Sequence, residues 1–389
     1  MRSLLLLLSA LVLSWADPSH DKPVDDALFH LSLNLLKQDQ TQINSPFSVA
    51  LALATVNEGV GGEVSQEITD KAFGGVAKND VNSWFKDKIT LFKDQGPHIA
   101  IATVNFVQEG LHVNPTYLKA IEDNFQCATL EVDFRNHPKD QAAKINAFVS
   151  NATQGYISRL VKNLPAETTF INVNALFTKL SFKTKFAEYK TKEADFHNED
   201  GTSRKVQMMR NEEETAKHLE TDKFDFLGAN LNYDGGSPMN FVFEYVFFVI
   251  LPKNQTLESL KHQLASEWNF SRIYKTAKSR KVDYAFPKFE AESSVNVKDK
   301  LKHLGIRKVF SEGADLSGIS ESVGRLDAII HKAMIDVNEK GVTAAAASMS
   351  SYMFLSSGYA DHVPVFRADR PFLYGIAHEG VPLFVGQFY

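Results

Sequence analysis

The chain has 389 residues, 44% apolar and 23% charged, with 29 phenylalanines and a formal net charge of −5. That balance fills a large core, rules out the composition of a disordered chain, and argues against nucleic acid as a partner. Cys127 is the only cysteine, so an internal disulfide is excluded and stability must come from packing; its apolar neighbours Phe125, Ala128 and Leu130 suggest a buried thiol.

In chain order, Arg2, two leucine-rich runs at 4–8 and 10–13, and the small-residue exit Ser14-Trp15-Ala16 predict a secretory signal peptide over residues 1–16. This run is too short to span a bilayer, and no later stretch is long and apolar enough. Residues 17–389 carry no linker, repeat or low-complexity tract, so one secreted, extracellular domain is expected, as a monomer and with no membrane partner. Leu28, Leu31 and Leu35 predict an amphipathic helix over 24–36, and Ser45-Pro46 opens a second apolar segment that ends near Gly59. Further helices are expected at 84–92, from 142 to a turn at Gly155, at 257–264, and at 295–304 before Gly305. Strands are expected at 99–107, 170–177, 241–251, 333–337 and 372–376. Strands recur without a regular βαβ rhythm, which points to α+β. Asn151, Asn254 and Asn269 head N-x-Ser/Thr sequons and are glycan candidates in an exported chain.

The chemistry of an enzyme is not visible. There is no Gly-x-Ser-x-Gly elbow, no His-Glu-x-x-His zinc helix and no cysteine pair. The glycines at 59, 61 and 62 read as a turn, and the twelve histidines are scattered. His331 heads an apolar strand and reads as a hydrogen-bonded structural residue. Asp87 and Asp94 interrupt the lysines at 86, 88 and 93, leaving a solvated face. No cofactor or metal is expected, and a hydrolase finds no nucleophile, base and acid to work with.

The most informative stretch is 341–348, where Gly341, Val342 and Thr343 lead into Ala344, Ala345, Ala346 and Ala347. Four alanines alone suggest a helical turn. Yet roughly 25 residues here lack an apolar stripe, and connections of that length are usually functional. No proline or charge occurs from 341 to 360, so the segment is fit both for solvent and for a central strand. As a strand it would place Val342, Ala344 and Ala346 on one face and Thr343, Ala345 and Ala347 on the other.

Ordered matches across the chain resemble the serpin family. They include Ser45-Pro46-Phe47-Ser48-Val49, the positions Asn151, Thr153, Gly155 and Ile157, Val173-Asn174-Ala175-Leu176-Phe177, Pro287-Lys288-Phe289, and Leu304-Gly305-Ile306 followed by Ala314-Asp315-Leu316-Ser317-Gly318-Ile319-Ser320. His331-Lys332-Ala333 and Asp336-Val337-Asn338-Glu339-Lys340-Gly341 lead into the loop, and Ala368-Asp369-Arg370-Pro371-Phe372 closes it. Departures are Phe182 for the usual Trp, Leu180 for Gly, Val342 for Thr or Ser, and Thr343 for Glu. The resemblance implies about nine helices around three β-sheets, with an exposed mobile reactive-centre loop over about 339–365. It implies a suicide inhibitor of serine proteases that forms a covalent acyl complex and has no catalytic residues of its own. It implies a hinge of Glu339, Gly341, Val342, Thr343 and the four alanines, and a sheet-opening cluster of Ser45, Ser48, Asn174 and His331. Seventeen residues counted from Glu339 place the reactive bond between Leu355 and Ser356. With Tyr352, Met353 and Phe354 as its flank, a chymotrypsin-like or cathepsin G-like target is expected. A non-inhibitory serpin acting as carrier, chaperone or storage protein is the alternative.

Overall fold

The computed structural model describes residues 23–37, 39–94, 99–153, 155–232, 244–342 and 363–389. Nine α-helices are present among them: α1 (Pro23–Leu35), α2 (Pro46–Glu58), α3 (Gly62–Phe73), α4 (Lys78–Asp94), α5 (Pro115–Phe125), α6 (Pro138–Ala152), α7 (Leu257–Glu267), α8 (Phe270–Thr276) and α9 (Lys298–His303). None of the described helices is long and apolar enough to cross a membrane. Local chemistry fixes their ends. Ser45 caps α2 by accepting the Ser48 N–H, while Asn114, Thr256 and Asn269 do the same for α5, α7 and α8. Helix α2 is apolar around its whole circumference, so it lies inside the molecule, buried from Pro46 to Asn57.

The sixteen strands among the described residues join into one hydrogen-bonded network in which three sections can be followed. The first contains β2 (Ile99–Gln108), β3 (Ala128–Val132), β4 (Phe170–Thr178), β11 (Phe289–Asn296) and β12 (Ala328–Asn338), in the order β3-β2-β4-β12-β11. The second, antiparallel, contains β1 (Gln42–Asn44), β8 (Phe224–Asn232), β9 (Tyr245–Pro252), β15 (Phe372–His378) and β16 (Val381–Phe388). The third contains β6 (Lys192–His197), β10 (Lys278–Pro287), β14 (Val365–Arg367) and most of β7 (Ser203–Glu220), which runs on to pair with β8 in the second section. Two short strands, β5 (Leu180–Phe182) and β13 (Gly341–Val342), bridge the first section to the second.

The helix expected over 295–304 is a correction. Val295 and Asn296 close β11, paired with His331 and Ile330 of β12, and only Lys298–His303 is helical. Asn296 Oδ1 accepts the Lys298 N–H and turns the chain out of the strand, while Gly305, at a φ of +97°, stops the helix. Residues 241–243 of the expected strand at 241–251 lie outside the described residues.

Aromatic packing joins the layers. The buried Phe270 ring of α8 lies 5.2 Å from Phe29 of α1 and 4.6 Å from Phe248 of β9. Truncating such a ring removes its burial and leaves a cavity. Phe270→Ala is expected to lower stability by about 3–5 kcal/mol in urea unfolding monitored by circular dichroism; a loss under 1 kcal/mol would mean that α8 is not a structural contact of the sheet.

Candidate functional site: a sheet seam and its hinge

Strands β4 and β12 run parallel in the middle of the first section. They are zipped over five registers, from Ala328 opposite Ile171 to Lys332 opposite Ala175. Beyond Lys332, no ladder joins β12 to β4 among the described residues. The next pairing of β12 is with β13, through Val337 with Val342 and Asn338 with Gly341. The seam is therefore closed at one end and occupied at the other by a two-residue strand.

Alternation along the strands sends Asn172 and Asn174 of β4 and His331 of β12 inward, toward α2. The Ser45 backbone N–H can only donate, and it reaches His331 Nε2 at 3.0 Å. The proton of the neutral ring must then sit on Nδ1, which donates to Asn174 Oδ1 at 2.9 Å. The same oxygen accepts the Ser48 hydroxyl at 2.6 Å, and Asn174 Nδ2 donates to Asn172 Oδ1 at 3.2 Å. Asn172 Nδ2 donates to Asn105 Oδ1 of β2 at 2.9 Å and to the Thr55 hydroxyl at 3.3 Å; Asn105 Nδ2 donates to the Tyr117 hydroxyl at 2.9 Å. Ser45, Ser48, Thr55, Asn105, Asn172, Asn174 and His331 have no solvent exposure. The network thus ties α2, α5, β2, β4 and β12 through groups that would be costly to leave unmatched in a dry interior.

Of these, Ser45, Ser48, Asn174 and His331 were singled out from the sequence, whereas Thr55, Asn105, Asn172 and Tyr117 were not. The signal lay in the strands themselves. Asn172 and Asn174 stand two apart in an otherwise apolar run, so they share a face, and Asn105 is directly opposite Asn172. Burial, with the nearby Lys300 charge adding to it, pushes the His331 pKa down to about 3. The imidazole is neutral at physiological pH, as its acceptor role toward Ser45 requires.

At the hinge, the Glu339 carbonyl accepts the Phe186 N–H at 2.9 Å and the Lys340 carbonyl accepts the Phe182 N–H at 3.1 Å. Burial would raise the Glu339 carboxyl, but the Lys288 ammonium at 2.9 Å helps to hold it below its ordinary value. Strand β13 is antiparallel to both neighbours, with Gly341 opposite Ser181 and Val342 opposite Leu180 on its β5 side. A Cβ on Gly341 would lie 2.4 Å from the Leu180 carbonyl oxygen and 2.5 Å from Ser181 Cα, so close backbone approach admits only glycine. Val342, Leu180 and Phe182 are all buried, and Phe182 packs edge-on against Phe186 at 5.1 Å and Phe247 at 6.0 Å. Three of the four departures from the family pattern, Leu180, Phe182 and Val342, thus lie buried together at the top of the seam. Thr343, Ala344, Ala345, Ala346, Ala347, Tyr352, Met353, Phe354, Leu355 and Ser356 lie outside the described residues.

The sequons differ in setting. Asn254 is exposed on the turn between β9 and α7. Asn151 is exposed in the last turn of α6, but Thr153 of its sequon is buried and bonded to Val149. Asn269 caps α8, accepting the Arg272 N–H at 2.7 Å. The Cys127 thiol is buried and pushed strongly upward by that burial, which makes it a poor nucleophile at neutral pH. No group of three or more potential metal ligands is found among the described residues.

Because the unfolded chain takes up a proton on this imidazole near 6.5 and the folded chain resists until about 3, the His331 contribution to stability is complete above pH 6.5. It declines as pH falls toward 3. His331→Gln is expected to flatten the acid slope of unfolding free energy between pH 6 and 4, leaving the part due to other buried histidines. His331→Ala is expected to lower stability at pH 7.5 by about 1–3 kcal/mol, since Ser45 and Asn174 lose a partner. An unchanged acid slope in the glutamine variant would refute the neutral, buried imidazole.

Comparison with known proteins places this architecture. The family model described as Serpin (serine protease inhibitor) matches residues 27–389. Iripin-1 of Ixodes ricinus is 30% identical over 354 residues, covering 88% of this chain and 87% of its own. Alpha-1-antiproteinase S of Cavia porcellus is 30% identical over 385 residues, covering 95% and 90%. The crystal structure of human thyroxine-binding globulin shares the fold with a TM-score of 0.79 at 22% identity, over 94% of this chain and 98% of that one. Serpins are generally protease inhibitors rather than enzymes, but the fold also serves a thyroxine-binding globulin. A family match over nearly the whole chain, on a fold whose parallel seam carries a hinge strand at one end, establishes that this chain belongs to the serpin family.

Proposed function

We propose that this chain is a secreted suicide inhibitor of serine proteases of the chymotrypsin or cathepsin G type, cleaved between Leu355 and Ser356. The observation that carries the reading is β13: Gly341 and Val342 already lie between β5 and β12, antiparallel to both, in the direction that a longer inserted strand would follow. Continued alternation would put Ala344 and Ala346 on the same inward face as Val342, and their small size suits a slot between packed strands.

The target serine attacks the Leu355 carbonyl, the Ser356 amine leaves, and an acyl-enzyme remains. The freed segment upstream then enters between β4 and β12. About a dozen new residues bonded on both sides would gain on the order of 10 kcal/mol, at roughly 0.5–1.5 kcal/mol per hydrogen bond. That rivals the whole stability of an ordinary domain. Seventeen residues at about 3.3 Å each would carry the tethered enzyme roughly 55 Å, so its active site is distorted before deacylation. Insertion must unzip the five registers and break the bond between His331 and Asn174, which makes the Ser45, Ser48, Asn174 and His331 cluster the gate. Leu355 suits an apolar specificity pocket, and the lack of Arg or Lys between 341 and 362 disfavours a trypsin-like target. Export of residues 17–389 as a monomer, with a glycan at the exposed Asn254, completes the reading.

Incubation with chymotrypsin is expected to give a complex that survives denaturing electrophoresis, releasing a fragment that begins at Ser356. Ala346→Pro, which removes a ladder donor, is expected to convert the inhibitor into a substrate. Cleavage of the unaltered chain without any stable complex would favour the carrier, chaperone or storage alternative. A fragment starting elsewhere would move the reactive bond.

A further inference from the structure

The outward face of the same seam carries a cavity of about 620 Å³. Its floor is Ile171 of β4 with Ala328 and Ile330 of β12, the residues that alternate with the inward polar network. The chain after α6 forms its wall, with Leu164 facing the floor, and Ser294 and Asn296 of β11 close one edge. This volume lies within the usual range for small-molecule sites, and the lining is apolar with polar groups at the rim.

The rim is biased toward cations. Lys162, Lys298 and Arg325 face Asp327 and Glu167. Asp327 is already committed: Oδ2 accepts the backbone N–H groups of Thr169 at 2.7 Å and Phe170 at 3.2 Å and the Thr169 hydroxyl at 3.1 Å, while Oδ1 accepts Arg325 Nε at 2.9 Å. Arg325 also pairs with Glu312 at 2.6 Å. Lys298 Nζ donates to a neutral partner, the Asp327 carbonyl, at 3.1 Å. Lys162 is exposed, and neither lysine forms an ion pair among the described residues.

We propose that this cavity binds a medium-chain aliphatic carboxylate, with the alkyl chain laid over Ile171, Ala328 and Ile330 and the carboxylate held by Lys298 and Lys162. Such a ligand touches both strands of the seam at once. It therefore favours the state in which β4 and β12 are paired, by mass action. The binding site stands on its own geometry; only the consequence for loop insertion rests on the proposed inhibitory mechanism.

The test is titration calorimetry of the intact chain with decanoate, with decylammonium as the charge-reversed control. Saturable one-to-one binding of decanoate is expected, at least tenfold tighter than that of decylammonium. Lys298→Glu should weaken it at least tenfold, and Ala328→Trp, which fills the floor, should abolish it. Should the tryptophan variant fail to fold, Lys298→Glu decides alone, since the lysine is a rim residue. Absence of saturable binding, equal affinity for decylammonium, or binding unchanged in Lys298→Glu overturns the proposal. With the site verified, decanoate should also slow protease-complex formation. If calorimetry succeeds but no complex forms with or without decanoate, the inhibitory reading fails and the site remains.

Discussion

The structure depends on a short parallel seam. Five residues of β12 face five of β4, and a single side-chain bond, from His331 to Asn174, crosses between them on the inward face. Around it the interior is committed to the closed arrangement. Ser45 both caps α2 and donates to His331, so the N-terminus of the most deeply buried helix is locked to the strand that would have to move. Opening the seam would strip a neutral imidazole and a buried amide of partners that water cannot readily replace. In the proposed mechanism the barrier would therefore be polar and local, while the driving force, hydrogen bonding of an added strand, would be distributed and would arise only after the barrier is crossed.

The hinge is held by close packing. Leu180 and Ser181 leave no room for a side chain at Gly341, and Val342 is buried opposite Leu180. The closed form thus keeps the first two residues of a strand in place and leaves β12 unpaired with β4 from residue 333 upward. The cavity on the opposite face spans the same two strands lower down. The polar network and the outward cavity both span β4 and β12, and the buried Val342 and Leu180 lie at the end of that seam.

Much of the fold was legible because its signals are local. Ser45 and Pro46 mark the start of α2, the apolar run at 170–177 is β4, and Gly305 ends α9. Where the reading failed, tertiary pairing overrode a local pattern: residues 295 and 296 have helical neighbours but are bonded to His331 and Ile330 of β12. The site was legible in part. His331 and Asn174 are distant in sequence, and it was the family resemblance, not spacing, that brought them together. Asn105, Asn172, Thr55 and Tyr117 passed as ordinary strand and helix positions, since an inward asparagine differs from an outward one only through its neighbours.

The central claim is that the sheet accepts one more strand from its own chain and gains stability by doing so. Differential scanning calorimetry of intact protein and of protein nicked once within 343–362, with the fragments left together, tests it most directly. The account predicts a large upward shift in Tm on nicking, with the nicked form persisting well above the temperature at which the intact chain unfolds. Equal melting temperatures for the two forms would contradict it.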